Sequence, residues 1–381
     1  MKAVMLVGGF GTRLRPLTLD VKKELMPVAN RPFLEHVLAH LAKHGVEEAI
    51  LTAGYLSEAL EAFPRELAHG VKLTVVKEEE PLDTCGAVKN VEHLLDGTFL
   101  VCNSDLLTAL DITSLVTYHR ERDTLGTIAL KAVDDPSAYG LVPIDDDGRI
   151  ERFVEKPKPG DDTWTNLINA GTYVLEPEAL NYVPDNEPFS FEGGVRSGGR
   201  VDVGLFPLLL AEGEALYGFV SNDYWLDIGS PAKYLQANRD VLDGLAGLGP
   251  RGAERDRGVW IGRSTEIDPS ANLVGPVAIG ENVRIGRGSV IGPRTSIGDD
   301  VVIGDDVTVS GSVLHERVSL ESAVIVRDST IAAGSSVGHG TEIVGAVLGA
   351  RVTVGADNEL REGVRLWPGL DTGDRGITFT R

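Results

Sequence analysis

An aliphatic residue stands at Ile261, Ile267, Leu273, Ile279, Ile285, Ile291, Ile297, Ile303 and Val309, an unbroken spacing of six that constrains what the last third of this chain can become. A unit of six residues has no interior of its own, so successive units must stack and share one continuous aliphatic column. A small or β-branched residue follows most of these positions four places on (Ala271, Val277, Val283, Ser289, Thr295), and glycine often follows directly. The spacing then slips by four and resumes at Ile325, Ile331, Val337 and Ile343, which predicts an inserted loop around residues 311–320.

The pattern resembles the hexapeptide-repeat proteins, which implies a left-handed parallel β-helix with three hexads to a triangular coil, over residues 259–381 with a C-terminal tail. Residues 246–258, rich in glycine, arginine and proline, read as a linker. Ahead of it, residues 1–245 read as a separate α/β domain. Apolar runs at residues 3–7, 49–52, 73–76 and 99–102 alternate with helix-period stretches, a βαβ series and hence a doubly wound, mostly parallel, Rossmann-like sheet. Leu34, Val37, Leu38 and Leu41 make one helical stripe that Gly45 ends, and Val88, Val91, Leu94 and Leu95 make another. From residue 126 to 235 the pattern mixes, with strands expected at 127–133, 150–154 and 173–175, and an Asp147-Gly148 turn. Ligands of such sheets bind beyond the carboxyl ends of the strands, which directs attention to the loops after Val7 and Cys102.

Charge and cysteine content narrow the function. With 57 acidic against 36 basic side chains the formal charge is −21, which opposes nucleic acid as a partner. No apolar run is long enough for a membrane span, and Met1 leads straight into the alternation of residues 2–7 without a leader, so the cytoplasm is the expected location. Cys85 and Cys102 are too few for a disulfide framework or a structural zinc site, and both are expected to be reduced.

Directly after the first strand comes Gly8-Gly9-Phe10-Gly11-Thr12-Arg13-Leu14-Arg15-Pro16-Leu17-Thr18. Glycines let backbone N–H groups approach phosphate oxygens and the arginines supply local positive charge, although a tight strand-to-helix turn with surface arginines has the same look. The Gly-Lys-Ser/Thr of a P-loop is absent, and Leu14 stands where a dinucleotide fingerprint needs its third glycine.

Together with Lys23-Glu24-Leu25-Met26-Pro27-Val28-Ala29-Asn30-Arg31-Pro32, this stretch resembles the nucleotide-sugar pyrophosphorylases, above all the mannose-1-phosphate guanylyltransferases. Further blocks keep the order of that family: Glu79-Glu80-Pro81-Leu82, Asn103-Ser104-Asp105, Phe153-Val154-Glu155-Lys156-Pro157, Asn169-Ala170-Gly171 and Tyr224-Trp225-Leu226-Asp227-Ile228-Gly229. The resemblance implies in-line attack of a sugar 1-phosphate oxygen on the α-phosphorus of a nucleoside triphosphate, with GTP and mannose 1-phosphate as the leading pair. Glucose or cyclitol phosphates with ATP, dTTP or UTP are the alternatives. It implies catalytic roles for Arg13 and Lys23, and nucleotide contacts from Gly8, Gly9, Gly11, Thr12, Arg13, Glu80, Asp83, Thr84 and Gly86. The sugar phosphate would meet Gly140, Glu155, Lys156, Asn169 and Gly171, and Mg²⁺ would be held by Asp105 and Asp227. A homo-oligomer, dimer or tetramer, is the expected assembly.

The family usually has glycine where this chain has Asp83, and a carboxylate there could accept from the N1–H and 2-amino groups of guanine. It has Lys-Pro where this chain has Lys23-Glu24, and Asn-Gly-Asp where it has Asn103-Ser104-Asp105. Two other classes fit parts of the sequence. One is an idle regulatory subunit that senses a nucleotide sugar. The other is an acyltransferase built on the repeat, whose histidine base could only be His315 or His339; both read instead as polar loop residues. The glycine-rich residues 193–200 read as a mobile surface loop or a phosphate-facing lid.

Overall fold

The structure is a computed structural model that describes residues 1–54, 57–137, 139–154, 165–195, 201–256 and 258–378. Packing divides the chain into two units, Met1–Gly9 with Val37–Trp225, and Phe10–His36 with Leu226–Arg381.

The first unit is built on seven strands: β1 (Lys2–Leu6), β2 (Glu48–Ala53), β3 (Lys72–Lys77), β4 (Phe99–Asn103), β5 (Gly126–Ala132), β6 (Leu167–Leu175) and β7 (Leu216–Val220). Their order in the sheet is β7-β5-β6-β4-β1-β2-β3. All neighbours run parallel except β6, which is antiparallel to both β4 and β5. Ala3, Val4 and Met5 are all fully buried, so β1 is covered on both faces, as a strand flanked by helices must be. One face packs on helix α1 (Asp83–Asn90) and helix α2 (Leu205–Ala211) through Cys85, Val88, Leu205, Phe206 and Leu209. The mostly parallel doubly wound sheet expected from the sequence is therefore present. Residues 150–154 depart from expectation: they form no strand, only single bridges from Ile150 to Ile144 and from Val154 to Leu141. The Asp147-Gly148 turn is present, with Gly148 at φ 83° and its N–H donating to the Asp145 carbonyl at 3.0 Å.

In the second unit the hexads form three parallel sheets of stacked coils, the arrangement of a left-handed parallel β-helix. The inner columns interlock in register, for example Ile279 beside Ile297, Ile285 beside Ile303 and Ile291 beside Val309. Each fully buried aliphatic of this kind contributes roughly 1.5–3 kcal/mol, and the column is continuous from Val259 to Leu366. Inner hydroxyls are satisfied within the stack, Ser289 donating to the Gly304 carbonyl at 2.8 Å and Thr265 to the Gly280 carbonyl at 2.8 Å. A short strand, Ala253–Asp256, pairs antiparallel with Val259–Ile261, so residues 246–258 contain a strand at the first coil.

The expected loop at 311–320 does not exist. Strands at Val313–Leu314 and Ser319–Leu320 continue the stack, with Leu314 against Ile297 and Leu320 against Ile303. What changes is one corner, which loses a residue, so that Ile297 is followed in its column by Leu314 and then Ile331. The inner residue of the next coil is accordingly Val326, fully buried, and not Ile325. The shortened corner turns through a left-handed residue in each coil, Gly311 at φ 57°, Asp328 at 48° and Gly345 at 65°.

Candidate active site

In the first unit the carboxyl ends of β1, β2 and β3 lie side by side. The Val7 N–H donates to the Thr52 carbonyl at 3.1 Å, and the Glu78 N–H to the Ala53 carbonyl at 2.9 Å. Gly8 sits within this group: a Cβ on it would stand 3.8 Å from Glu78 Oε1, and one on Gly54 would stand 3.8 Å from the Gly8 carbonyl. Gly8 and Gly9 are exposed backbone at the strand ends, where a phosphate-bearing ligand of such a sheet docks.

The next wall is the start of α1. Glu80 and Asp83 are exposed, and Asp83 lies in the left-handed region at φ 61°, with its Oδ1 accepting from the Thr84 N–H at 2.7 Å. Thr84 and Gly86 serve the chain itself. The Thr84 hydroxyl accepts from the Phe191 N–H at 3.1 Å, while the N–H groups of Cys85 and Gly86 both donate to the Phe189 carbonyl. A Cβ on Gly86 would come within 2.7 Å of the Glu187 carbonyl oxygen, so glycine is required there by close approach.

Because β6 runs antiparallel to β4, its first residues fall beside the end of β4, and this brings Asn169 and Gly171 to Asn103 and the turn bearing Asp105. Gly171, at φ 71°, lies so close to Asn103 that a Cβ would meet its Nδ2 at 2.5 Å. Asn169 is held from all sides: its Oδ1 accepts from the Gly171 N–H at 2.8 Å, its Nδ2 donates to Glu192 Oε1 at 2.6 Å and to Tyr173 Oη at 2.9 Å, and its N–H donates to the Gly140 carbonyl at 3.3 Å. Tyr173 in turn donates to Glu192 Oε1 at 3.0 Å; burial, and then the Glu192 charge, push its phenol well above the ordinary range, so it stays a donor. Trp225 donates to the Ala170 carbonyl at 2.9 Å and stands edge-on to Tyr139 at 5.8 Å. Sequence reasoning missed Glu192 as the anchor of Asn169; its only signal is its place beside the glycine-rich segment. Asp105 is half-buried and Ser104 buried. Glu155 and Lys156 lie outside the described residues, as do residues 196–200 of the glycine-rich segment. The flanks of that segment pair antiparallel, Gly194–Val195 with Val201–Asp202.

The second unit carries Gly11, Thr12, Arg13, Lys23 and Asp227. Gly11, at φ 60°, starts a 3₁₀ turn over Thr12–Leu14, and the Thr18 hydroxyl donates to its carbonyl at 2.7 Å to close the loop. Arg13 and Asp227 flank Gly229: a Cβ there would stand 2.9 Å from Arg13 Nη2 and 2.9 Å from Asp227 Oδ1. Asp227 Oδ2 lies 3.3 Å from Lys233 Nζ, while its Oδ1 is buried and has no hydrogen-bond partner among the described residues. Lys233 follows Ser230, whose hydroxyl accepts from the Lys233 N–H and caps helix α3 (Pro231–Leu242). Lys23 opens a second 3₁₀ turn, Lys23–Leu25, and its ammonium lies 3.9 Å from the fully buried Glu24 carboxylate.

A buried carboxylate oxygen without a partner fits a divalent ion, whose hard oxygen ligands include few from protein and several from substrate phosphates. Among the described residues no three His, Cys, Asp or Glu side chains gather as a closed metal cage, and Asp105 and Asp227 are carried by different units. Cys85 and Cys102 are both buried and neither forms a disulfide among the described residues, and burial pushes the Cys102 thiol up to about 12.

A mostly parallel doubly wound sheet with a glycine turn after its first strand, followed in sequence by Arg13 and Lys23, is the setting in which α/β enzymes bind phosphate esters. The chain belongs to the nucleotidyl transferase family, whose match covers residues 2–244, and residues 273–366 match the GMPPB C-terminal domain. Its relatives include the mannose-1-phosphate guanylyltransferase of Mycobacterium tuberculosis, 37% identical over 287 residues, which are 74% of this chain and 76% of that protein. The mannose-1-phosphate guanyltransferase of Candida albicans is 36% identical over 72% of this chain and 73% of its own length. Among solved structures, HddC from Yersinia pseudotuberculosis complexed with GMP-PN superposes with a TM-score of 0.52 at 29% identity, over 63% of this chain and 98% of that one. A glucose-1-phosphate thymidylyltransferase described as putative, from Bacillus anthracis, has a TM-score of 0.54 at 22% identity over 62% of this chain and 94% of its own, a likeness of fold. Nucleotidyltransferases of this family generally use a divalent metal ion. Among the described residues, no helix is long and apolar enough to cross a membrane.

Proposed function

We propose that this protein transfers guanylate from GTP to mannose 1-phosphate, releasing pyrophosphate and GDP-mannose, with Mg²⁺ as its divalent ion. The observation that carries the reading is the 37% identity over 74% of the chain to a mannose-1-phosphate guanylyltransferase. The phosphate oxygen of the sugar forms a bond to the α-phosphorus as the bond from that phosphorus to the bridging oxygen of pyrophosphate breaks. Both partners are anions, so the main task of the protein is to hold them in line and offset their charge.

In this reading Gly8, Gly9, Gly11 and Thr12 present backbone to the triphosphate, Arg13 and Lys23 offset its charge, and Lys23 serves the α-phosphate. Glu80, Asp83, Thr84 and Gly86 border the nucleotide, Asp83 through its carboxylate and Thr84 and Gly86 by shaping the wall. Asn169, oriented by Glu192 and Tyr173, has both amide protons committed and offers the remaining lone pair of its Oδ1 to a sugar hydroxyl. The backbone of Gly140 and Gly171 contacts the sugar hydroxyls, Glu155 accepts from the sugar and Lys156 holds its phosphate. Asp105 and Asp227 hold the metal, which supplies charge neutralisation at the phosphates and a template for in-line geometry. We expect a cytoplasmic setting, and the β-helix is the surface on which we expect a homodimer or homotetramer to form. The test is a matrix of GTP, ATP, UTP and dTTP against mannose, glucose and cyclitol 1-phosphates, read as pyrophosphate released. Turnover greatest with another pair would replace the substrates, and none with any pair would leave a sensing subunit.

A further inference from the structure

The residue after the inner aliphatic of one face of the β-helix is Gly262, Gly280, Gly298, His315, Ala332, Gly349 and Trp367 in successive coils. The early coils require glycine here. A Cβ on Gly262 would stand 2.5 Å from the Gly280 carbonyl carbon, one on Gly280 2.6 Å from that of Gly298, and one on Gly298 2.7 Å from that of His315. His315 is therefore an imidazole placed inside a column of glycine and alanine, and it is buried. Its Nε2 lies 3.0 Å from Tyr234 Oη on α3, and Tyr234 donates its single hydroxyl proton to the Pro27 carbonyl. With that proton committed, His315 must be the Nε2–H donor to Tyr234. Burial lowers its pKa from 6.5 to about 4, so the ring is neutral.

Pro27 begins a two-residue hairpin, Pro27–Val28 with Arg31–Pro32, whose turn residues Ala29 and Asn30 both have positive φ, 47° and 63°. It follows directly on the 3₁₀ turn of Lys23 and is pinned at each residue. His36 Nε2 bonds the Val28 carbonyl at 2.9 Å, Asn238 Oδ1 accepts from the Ala29 N–H at 2.9 Å, Asn30 Nδ2 donates to the Ile297 carbonyl at 2.7 Å, and Arg31 Nε donates to the Gly249 carbonyl at 2.9 Å. Two of the groups that fix the hairpin, His315 and Ile297, thus come from neighbouring coils of the β-helix.

We propose that His315 and Tyr234 are positioning residues, through which the β-helix sets the backbone at Pro27 and so the placement of Lys23. The inference rests on the role given above to Lys23. Displacing a charged group by a fraction of an ångström from developing phosphate charge lowers turnover without weakening the hold on the sugar phosphate.

The experiment compares full-length wild type, His315→Leu, His315→Gln and Tyr234→Phe. Glutamine can put a neutral N–H near the Nε2 position, leucine cannot, and Tyr234→Phe removes one hydroxyl from an otherwise unchanged ring. Expected are kcat values lower by about tenfold or more in His315→Leu and Tyr234→Phe, KM for mannose 1-phosphate within about twofold of wild type, and substantial recovery in His315→Gln. Hydrogen exchange of peptides over residues 23–33 should be faster in the two disruptive variants and near wild type in His315→Gln. Wild-type kcat in His315→Leu and Tyr234→Phe would overturn the proposal, and so would equal loss in the leucine and glutamine variants. The exchange readout needs no substrate: unchanged exchange overturns the relay whatever the enzyme acts on, whereas failure of wild type to turn over any substrate pair overturns the functional reading alone.

Discussion

Asp83 offers the sharpest test of base selection, because the structure sets the size of the effect. Its carboxylate is exposed and Oδ1 is engaged by the Thr84 N–H at 2.7 Å, which leaves Oδ2 as the natural acceptor for a guanine N–H. One charge-assisted bond at an exposed site, discounted for solvent screening, gives about 1 kcal/mol, below the 1–3 kcal/mol of a well-made bidentate base contact. Asp83→Asn should therefore lower the ratio of kcat/KM for GTP over ATP, UTP and dTTP by about fivefold. Asp83→Gly should lower it equally while relieving a non-glycine residue at φ 61°, which adds up to about 1 kcal/mol to stability. Steady-state kinetics with the four nucleotides and thermal melts of the three proteins are the measurements. An unchanged nucleotide ratio in Asp83→Asn would show that this carboxylate does not read the base, and a lower Tm in Asp83→Gly would show that the backbone there is not strained.

Lys23→Ala and Asp105→Asn should each cut kcat by about 10²-fold or more with cooperative unfolding retained, checked by pyrophosphate release beside circular dichroism. Gly280→Ala puts a methyl 2.6 Å from the Gly298 carbonyl carbon and must push adjacent coils apart, so it should cost about 1–3 kcal/mol in urea unfolding. His315, with its pKa lowered from 6.5 to about 4, binds its proton less readily when folded, so stability rises with pH across that interval and is lost as pH falls through it. The loss attributable to His315 is about 3 kcal/mol at most, and unfolding of wild type and His315→Gln at about pH 7 and about pH 4 should show it only in the wild type.

Much of the fold is legible because its determinants are local. A column repeating every six residues, and strands buried on both faces, leave unambiguous apolar patterns from Ile261 to Val309 and from Ala3 to Met5. The misread loop has a specific cause. Val324, Ile325 and Val326 are consecutive β-branched residues, and counting in sixes selects Ile325, whereas a corner short by one residue puts Val326 inside. The position of β6 between β4 and β5 is not legible, since strand order depends on pairings far apart in sequence. Of the site, the glycine and arginine blocks are visible as motifs, but the partners that aim them are not. Glu192, Lys233, Tyr234 and His36 act through bonds to residues 23, 6, 207 and 8 positions away, and only the Lys233 and His36 pairings lie within one short stretch each.

A repeat, however, states its own rule, and a residue that breaks the rule is a signal available before any coordinates. On the face that begins with Ile261, glycine or alanine fills the position after the inner aliphatic in every coil from Gly262 to Gly349 except at His315. The coil spacing explains the rule, because a side chain at Gly262, Gly280 or Gly298 would collide with the next coil's backbone. An imidazole tolerated there must be admitted by a local change, and the residue missing from the corner between Val309 and Val313 begins the shorter coils at just this place. Reading the slip in spacing as an insertion sends His315 to an imagined surface loop and makes it look dispensable. Reading it as a deletion puts His315 on a coil of the stack, its ring buried against α3, where a buried polar group needs a partner, and the partner it has is the tyrosine that holds the backbone next to Lys23.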